Sequence, residues 1–105
     1  MIVILTACRR EIVELPDEIR GDLADALARL DAGHSLSMPL SRPMPSLGRG
    51  VHELRLRYRS GSYRVVYAIV RSGNVHVIHA FKKKAQATPR RTIELVRRRL
   101  REDLR

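Results

Sequence analysis

The chain has 105 residues, enough for one hydrophobic core, and is therefore predicted to form a single domain over residues 1–105. Its 21 lysines and arginines against 11 aspartates and glutamates give a formal net charge of +10, which indicates a polyanionic partner. A single cysteine excludes an internal disulfide and a multi-cysteine zinc site, and no segment approaches the roughly 20 apolar residues of a membrane span.

The N-terminal half contains two patterns of regular structure. Residues 2–5 are typical of a short strand, and the run is too short for the core of a signal peptide, so the cytoplasm is the expected location. Pro16 and Asp17 suit the first turn of a helix, and the apolar residues that follow at spacings of three and four predict an amphipathic helix ending near Gly33. Residues 34–50, rich in Ser, Pro and Gly, predict a surface loop.

Residues 51–81 follow a period of two, interrupted by turn signals at 60–62 and 71–74, and predict three antiparallel strands. Since side chains alternate across a sheet, the apolar set should share the buried face: Leu54, Leu56, Tyr63, Val65 and Tyr67. Arg55, Arg57 and Arg64 then share the other face and form a cationic groove. The last strand leads into Lys82, Lys83 and Lys84.

The C-terminal residues predict a final helix. Thr88 is the expected cap, Pro89 the first helical residue, and the apolar stripe consists of Ile93, Val96, Leu100 and Leu104. The opposite side carries six arginines: Arg90, Arg91, Arg97, Arg98, Arg99 and Arg101. This face fits attraction to the phosphates of a polyanionic partner or plain solubility.

No metal or other cofactor is expected, because the acidic residues and the four histidines lack the spacing of a metal site. Clustered cations can still cleave RNA, since the 2′-OH of the substrate is its own nucleophile. We assign phosphate positioning and charge stabilisation to Arg55, Arg57 and Arg64, and proton transfer to Lys83, because arginine hardly deprotonates. Taken alone, the alternating cations fit the solvated face of a half-buried sheet equally well.

The parity of the strands also assigns the aromatic and imidazole side chains. Tyr63 and Tyr67 share the parity of the apolar set and are interpreted as core residues. His79 has the parity of Val75 and Phe81 and is interpreted as a hydrogen-bonded structural histidine, whereas His76 should point to the groove.

Four motifs resemble the HigB-like, phage-derived branch of the RelE/ParE toxin superfamily. They are Glu53-Leu54-Arg55, Tyr63-Arg64-Val65-Val66-Tyr67, His79-Ala80-Phe81-Lys82-Lys83-Lys84 and Thr88-Pro89. The resemblance implies an α+β fold with an antiparallel sheet of three to five strands, an N-terminal helix packed on one face, and a C-terminal helix. It also implies the toxin of a type II toxin-antitoxin pair, a metal-independent endoribonuclease that cleaves mRNA on the ribosome and inhibits translation, with a helix-turn-helix antitoxin as partner.

Carried over by position, the resemblance points to Arg55, Arg64 and Lys83 as catalytic residues. The RNA-binding candidates, for mRNA and ribosomal RNA, are Arg57, Arg59, Lys82, Lys84, Arg90, Arg91 and Arg98. The chain departs from the family at Ala87 and Thr92, where Lys and Glu are common, and no aromatic residue follows Phe81. The alternative is a non-enzymatic ParE-like toxin that binds DNA gyrase; a DNA-binding module is less favoured because no helix-turn-helix pattern is visible.

Overall fold

The computed structural model describes residues 1–104 as an α+β fold in which helices cover both faces of a five-stranded sheet. In chain order the elements are β1 (Ile2–Ile4), α1 (Thr6–Val13), α2 (Asp17–Asp31), β2 (Ser41–Pro43), a 3₁₀ turn (Pro45–Leu47), β3 (Val51–Tyr58), β4 (Gly61–Ile69), β5 (Val75–Lys83) and α3 (Arg90–Asp103). No helix within residues 1–104 has the length and apolar character needed to cross a bilayer.

The strands lie in the order β1-β5-β4-β3-β2. The pairs β3–β4 and β4–β5 are antiparallel, as predicted, and β2 also lies antiparallel to β3. Strand β1 runs parallel to β5, with Ile2 opposite Val75. The sheet is therefore mixed. Turn residues between neighbouring strands predict hairpins, but they carry no information about a pairing between segments more than 70 residues apart.

A β-bulge interrupts the pairing of β4 with β5. Val66 lies opposite His79 but Tyr67 lies opposite Val77, so Ile78 is an extra residue in β5. The bulge shifts the parity of the rest of the strand. His79 therefore shares the face of Val66, and the expectation that it lies on the same face as Val75 is wrong.

Two hydrophobic clusters lie on opposite faces of the sheet. One face, which carries the predicted apolar set, packs against the buried side chains of α2: Ile19, Leu23, Ala26, Leu27 and Leu30. The other face packs Val51, Val66 and Ile78 against Val96 and Leu100 of α3. The prediction that the N-terminal helix packs on the buried face of the sheet is confirmed, and Tyr63 and Tyr67 are core residues as interpreted.

Three local features differ from the sequence expectations. Residues 6–13, for which no element was predicted, form α1, whose one fully buried residue is Cys8. The predicted loop 34–50 contains strand β2, where the Ser41 hydroxyl contacts the Tyr67 hydroxyl at 2.6 Å in the core. Helix α3 begins at Arg90, and Thr88 does not cap it: Pro89 occupies the cap position and its carbonyl accepts from backbone N–H groups of the first turn.

Candidate functional site

The predicted cations lie in two rows across the α3 face of the sheet. The first row contains Arg57, Ser62 and Lys83, one residue from each of β3, β4 and β5. The second row contains Arg55, Arg64 and Phe81. Since neighbouring strands are about 4.8 Å apart, each row spans roughly 10 Å. The structure thus brings four cations from three strands together on one surface.

These rows form one side of an open groove of about 470 Å³, here called the basic groove. Its lining residues are Pro39, Leu40, Arg55, Leu56, Arg57, Ser62 and Arg64. The backbone N–H of Arg55 donates to the Leu40 carbonyl at 2.8 Å, which fixes the segment before β2 against the edge of β3. Lys83 lies beside the groove, opposite Ser62 on the same face.

Arg64 is the buried member of the groove, only 7% exposed, and its Nε lies 3.5 Å from Oε1 of Glu53. One Nη1 N–H also donates to the Tyr63 carbonyl at 3.3 Å. Burial lowers the pKa of Arg64; the Glu53 carboxylate opposes this shift, and the charges of Arg55 and Arg57 add to it. An arginine remains protonated under such conditions, so Arg64 supplies a fixed positive charge at the floor of the groove.

The bulge in β5 decides which lysine reaches the groove. Lys83 lies on the face of Ser62 and Arg57, whereas Lys82 lies on the opposite face, with Nζ 6.0 Å from the centre of the Tyr63 ring. Without the extra residue in β5, the two lysines would exchange faces. Lys84 is exposed just beyond β5.

Of the remaining RNA-binding candidates, Arg59 follows the end of β3 and donates from Nε to the Tyr58 hydroxyl at 3.1 Å. On α3, Arg90 is highly exposed and lies 3.5 Å from Glu94, while Arg91 and Arg98 line a shallow depression on the outer surface of the helix. None of these arginines is among the lining residues of the basic groove.

Arg99 is the exception on α3, because it points inward and not toward solvent as expected. Its Nη1 donates to Glu11 Oε1 at 2.9 Å and to the Ile78 carbonyl at 3.0 Å. Glu11 also accepts from His79 Nδ1 at 2.9 Å and from the Ala80 backbone N–H at 3.2 Å. Burial opposes ionisation of this carboxylate, but the hydrogen bonds outweigh it and lower the pKa of Glu11 to about 2. His79 is thus a hydrogen-bonded structural histidine, as interpreted.

His76 does not reach the groove. Its Nδ1 lies 2.6 Å from Asp103 Oδ2, where β5 begins and α3 ends, so the expectation that it points to the groove is wrong. Burial raises the pKa of the Cys8 thiol to about 12, which leaves it without nucleophilic character at neutral pH. In the described residues, no three His, Cys, Asp or Glu side chains are grouped so as to hold a metal ion.

Strand parity identified Arg55, Arg57 and Arg64, and the family resemblance identified Lys83, but neither gave a role to Glu53 or Glu11. The pairing of Glu53 with Arg64 follows from the register of β3 and β4, in which the two residues are diagonal neighbours. Glu11 had no local signal, because its partners lie 68 and 88 residues away along the chain.

The family model described as Phage derived protein Gp49-like (DUF891) matches residues 10–101. The chain belongs to this Gp49-like family. A comparison with curated proteins finds no match. Among solved structures, the Gp49-like chain is similar to the isolated RelE toxin of E. coli, with a TM-score of 0.56 and 21% identity over 93% of this chain and 96% of that one.

A second similar structure is a variant of E. coli RelE in the free state, with two arginines replaced by alanine. Its TM-score is 0.50, with 20% identity over 82% of the Gp49-like chain and 85% of the other. At these identities the likeness shows the fold. The predicted RelE-like fold is confirmed, and the family match agrees with the phage-derived branch that the motifs resemble.

Proposed function

We propose that this Gp49-like protein is the toxin of a type II toxin-antitoxin pair and acts as a metal-independent, ribosome-dependent endoribonuclease that cleaves mRNA and inhibits translation. The observation that carries this proposal is the convergence of Arg55, Arg57, Arg64 and Lys83 on one face of a RelE-like sheet. Three arginines and a lysine on one face match the chemistry of a phosphodiester backbone.

In the proposed reaction, the 2′-OH of one nucleotide attacks the adjacent phosphorus, and the bond from phosphorus to the 5′ oxygen breaks. The products are a 2′,3′-cyclic phosphate and a free 5′-OH. The attacking hydroxyl loses a proton and the departing oxygen gains one, so the atoms balance without a metal. The protein must hold the reacting atoms in line and stabilise the charge that develops on the phosphoryl oxygens.

Each groove cation has a place in this scheme. Arg57 is exposed and Arg55 partly so, and both would contact phosphates as the RNA enters. Arg64, held at the floor, stabilises charge on the scissile phosphate. Lys83 is partly exposed at the edge of the groove and is assigned proton transfer, because arginine hardly deprotonates.

The proposal also names partners and a location. The exposed arginines of α3, Arg90, Arg91 and Arg98, would contact ribosomal RNA, and mRNA would occupy the groove. Arg59 and Lys84 would add backbone contacts at its rim, while Lys82 on the far face would contribute only to general attraction. A helix-turn-helix antitoxin would neutralise the protein, and both would work in the cytoplasm.

The test compares two double variants that lose the same charge. Arg55→Ala/Arg57→Ala removes two groove cations, whereas Arg9→Ala/Arg10→Ala removes two exposed cations from α1. In a purified translation system containing EDTA-treated toxin, we expect the groove variant to lose at least about a hundredfold of the mRNA cleavage rate and the α1 variant to lose about threefold or less. Cleaved mRNA should carry 2′,3′-cyclic phosphate ends.

Toxicity without cleavage would support the alternative. If induction of the wild-type protein arrests growth while mRNA stays intact and DNA supercoiling changes, the protein is a gyrase-binding toxin of the ParE type. Equal loss of cleavage in both double variants would mean that the groove contributes only net charge.

A further inference from the structure

Glu53 is the acidic residue of the Glu53-Leu54-Arg55 motif, and the proposed reaction gives it no role. It is 6% exposed, and its carboxylate lies 3.5 Å from the Nε of Arg64. Burying an ionised carboxylate costs free energy unless the charge is paired. The ion pair with Arg64 therefore stabilises Glu53 in its buried position. Glu53 is thus the ion-pair partner of Arg64, the arginine at the floor of the basic groove.

The register of the sheet explains why Arg64 needs this partner. Arg64 lies directly opposite Arg55, and like charges in directly opposed positions repel. Glu53 lies two residues along β3 on the same face, diagonal to Arg64. Attraction to this carboxylate therefore draws the guanidinium along the sheet and away from Arg55.

The surroundings of Glu53 strengthen this attraction. Glu53 lines a small, partly open pocket whose other residues are mainly apolar and come from α3, β4, β5 and the segment before β3, including Met44, Leu47, Phe81 and Val96. In such low-polarity surroundings the Coulomb attraction is far stronger than at the surface. One of the five N–H groups of Arg64, on Nη1, donates to the Tyr63 carbonyl, and Nε lies 3.5 Å from Glu53 Oε1 as an ion pair.

We infer that Glu53 is a positioning residue for RNA cleavage, which holds the guanidinium of Arg64 so that its remaining N–H groups meet the scissile phosphate. This inference rests on the proposed function. Glu53 places a negative charge beside the proposed binding site of a polyanion, so its charge should oppose RNA binding. Loss of that charge should favour RNA binding but impair cleavage, whereas a merely structural role would affect both in the same direction.

The experiment measures two quantities for Glu53→Gln: the single-turnover cleavage rate of mRNA on ribosomes and the affinity for ribosomes. Glutamine keeps the size of the side chain and an oxygen acceptor, but it loses the charge. We expect cleavage to fall about tenfold or more while affinity stays equal or rises by up to about threefold. Glu14→Gln, an exposed acid between α1 and α2, makes the same charge change and should alter both quantities less than about twofold.

A double-mutant cycle tests whether Glu53 acts through Arg64. In an Arg64→Ala background, Glu53→Gln should change the cleavage rate by less than about twofold, because the group that it positions is absent. Should Glu53→Gln not fold, Glu53→Asp keeps the charge but withdraws the carboxylate by one methylene group, and we expect cleavage to fall at unchanged affinity.

Three outcomes overturn the inference while leaving the proposed function in place: unchanged cleavage in Glu53→Gln, a parallel loss of affinity and cleavage, or an equal loss in both backgrounds. A wild-type protein that cleaves no mRNA overturns the proposed function and this inference with it.

Discussion

At the scale of single residues, Glu11 connects its own helix to two elements that are far away in the sequence. It lies on α1 and accepts hydrogen bonds from His79 and Ala80 on β5 and from Arg99 on α3. A partly buried carboxylate with three donors strongly favours its ionised form. Part of the stability of the fold therefore depends on the charge of Glu11.

We predict that this contribution is lost in acid. The pKa of Glu11 is about 2 in the folded protein and 4.5 as its ordinary value, so the stabilisation is complete above about pH 5 and disappears as the pH falls toward 2. At pH 7, Glu11→Gln should lower the free energy of unfolding by about 2 kcal/mol. In urea unfolding at pH values from 7 to 2, the difference in the free energy of unfolding between wild type and variant should shrink as the pH falls.

The exposed Glu14→Gln serves as the control and should follow the wild-type curve within about 0.5 kcal/mol. A gap between wild type and Glu11→Gln that stays constant down to pH 2 would show that the charge of Glu11 does not stabilise the fold.

For single residues, the sequence predicts which face of the sheet a side chain occupies, because side chains alternate along a strand. Arg55, Arg57 and Arg64 were placed on one face correctly, because side-chain direction in a strand depends only on position. The burial of Arg64 and the inward direction of Arg99 depend on Glu53 and Glu11, and those partners become neighbours only when strands and helices pack.

At the scale of elements, the bulge in β5 has the largest effect on the site. It inserts Ile78 and thereby places Lys83, not Lys82, on the groove face. An uninterrupted period of two over residues 75–83 would instead place Lys82 on the groove face and Lys83 on the opposite face. No Gly or Pro marks this bulge in the sequence, so its position could not be predicted.

A second element-scale feature is the entry to β3 at Gly50. Its φ of 71° is in the left-handed region, and a Cβ there would lie 2.4 Å from the Ile69 carbonyl oxygen. Gly73 also has a positive φ, of 92°, but a Cβ there would meet nothing within 4 Å. Both residues permit the same kind of backbone, but only Gly50 is also packed against another strand.

We predict that Gly73→Ala costs about 1 kcal/mol of stability, from backbone strain alone, and that Gly50→Ala costs at least about 2 kcal/mol more. The additional loss arises because the new methyl group forces β3 and β4 apart at Ile69. Thermal unfolding of the two variants gives the comparison. An equal loss of stability in Gly73→Ala and Gly50→Ala would contradict the close approach of Gly50 to β4.

Helix α2 and the strands β3 to β5 had strong signals in the sequence: long amphipathic periods and Gly-containing turns at 61 and 73. Helix α1 and strand β2 had none, because each is short and held in place mainly by contacts with β5 or β3. Short elements depend on tertiary packing more than on local propensity.

At the scale of the whole molecule, the two faces of the sheet have different roles. The face under α2 is a continuous apolar core, whereas the other face is divided between an apolar patch under α3 and the basic groove. Helix α3 packs beside the groove through Thr92 and Ile93, close to Glu53 and Phe81. Much of the positive charge therefore lies in two places, the basic groove and the arginine-rich outer surface of α3.

The central claim is that the basic groove performs chemistry on RNA as well as binding it. Lys83 and Lys84 test it most directly, because they are adjacent and equally charged, yet only Lys83 lies on the groove face within β5. The measurement is the single-turnover rate of mRNA cleavage on ribosomes, with ribosome affinity determined in parallel.

We predict that Lys83→Ala lowers the cleavage rate of bound mRNA about a hundredfold and changes affinity about threefold or less. Lys84→Ala should weaken affinity to a similar small extent, because it removes one exposed phosphate contact, and leave the cleavage rate within about twofold. Equal effects of the two substitutions on both quantities would contradict the claim and make the groove a binding surface without a catalytic role.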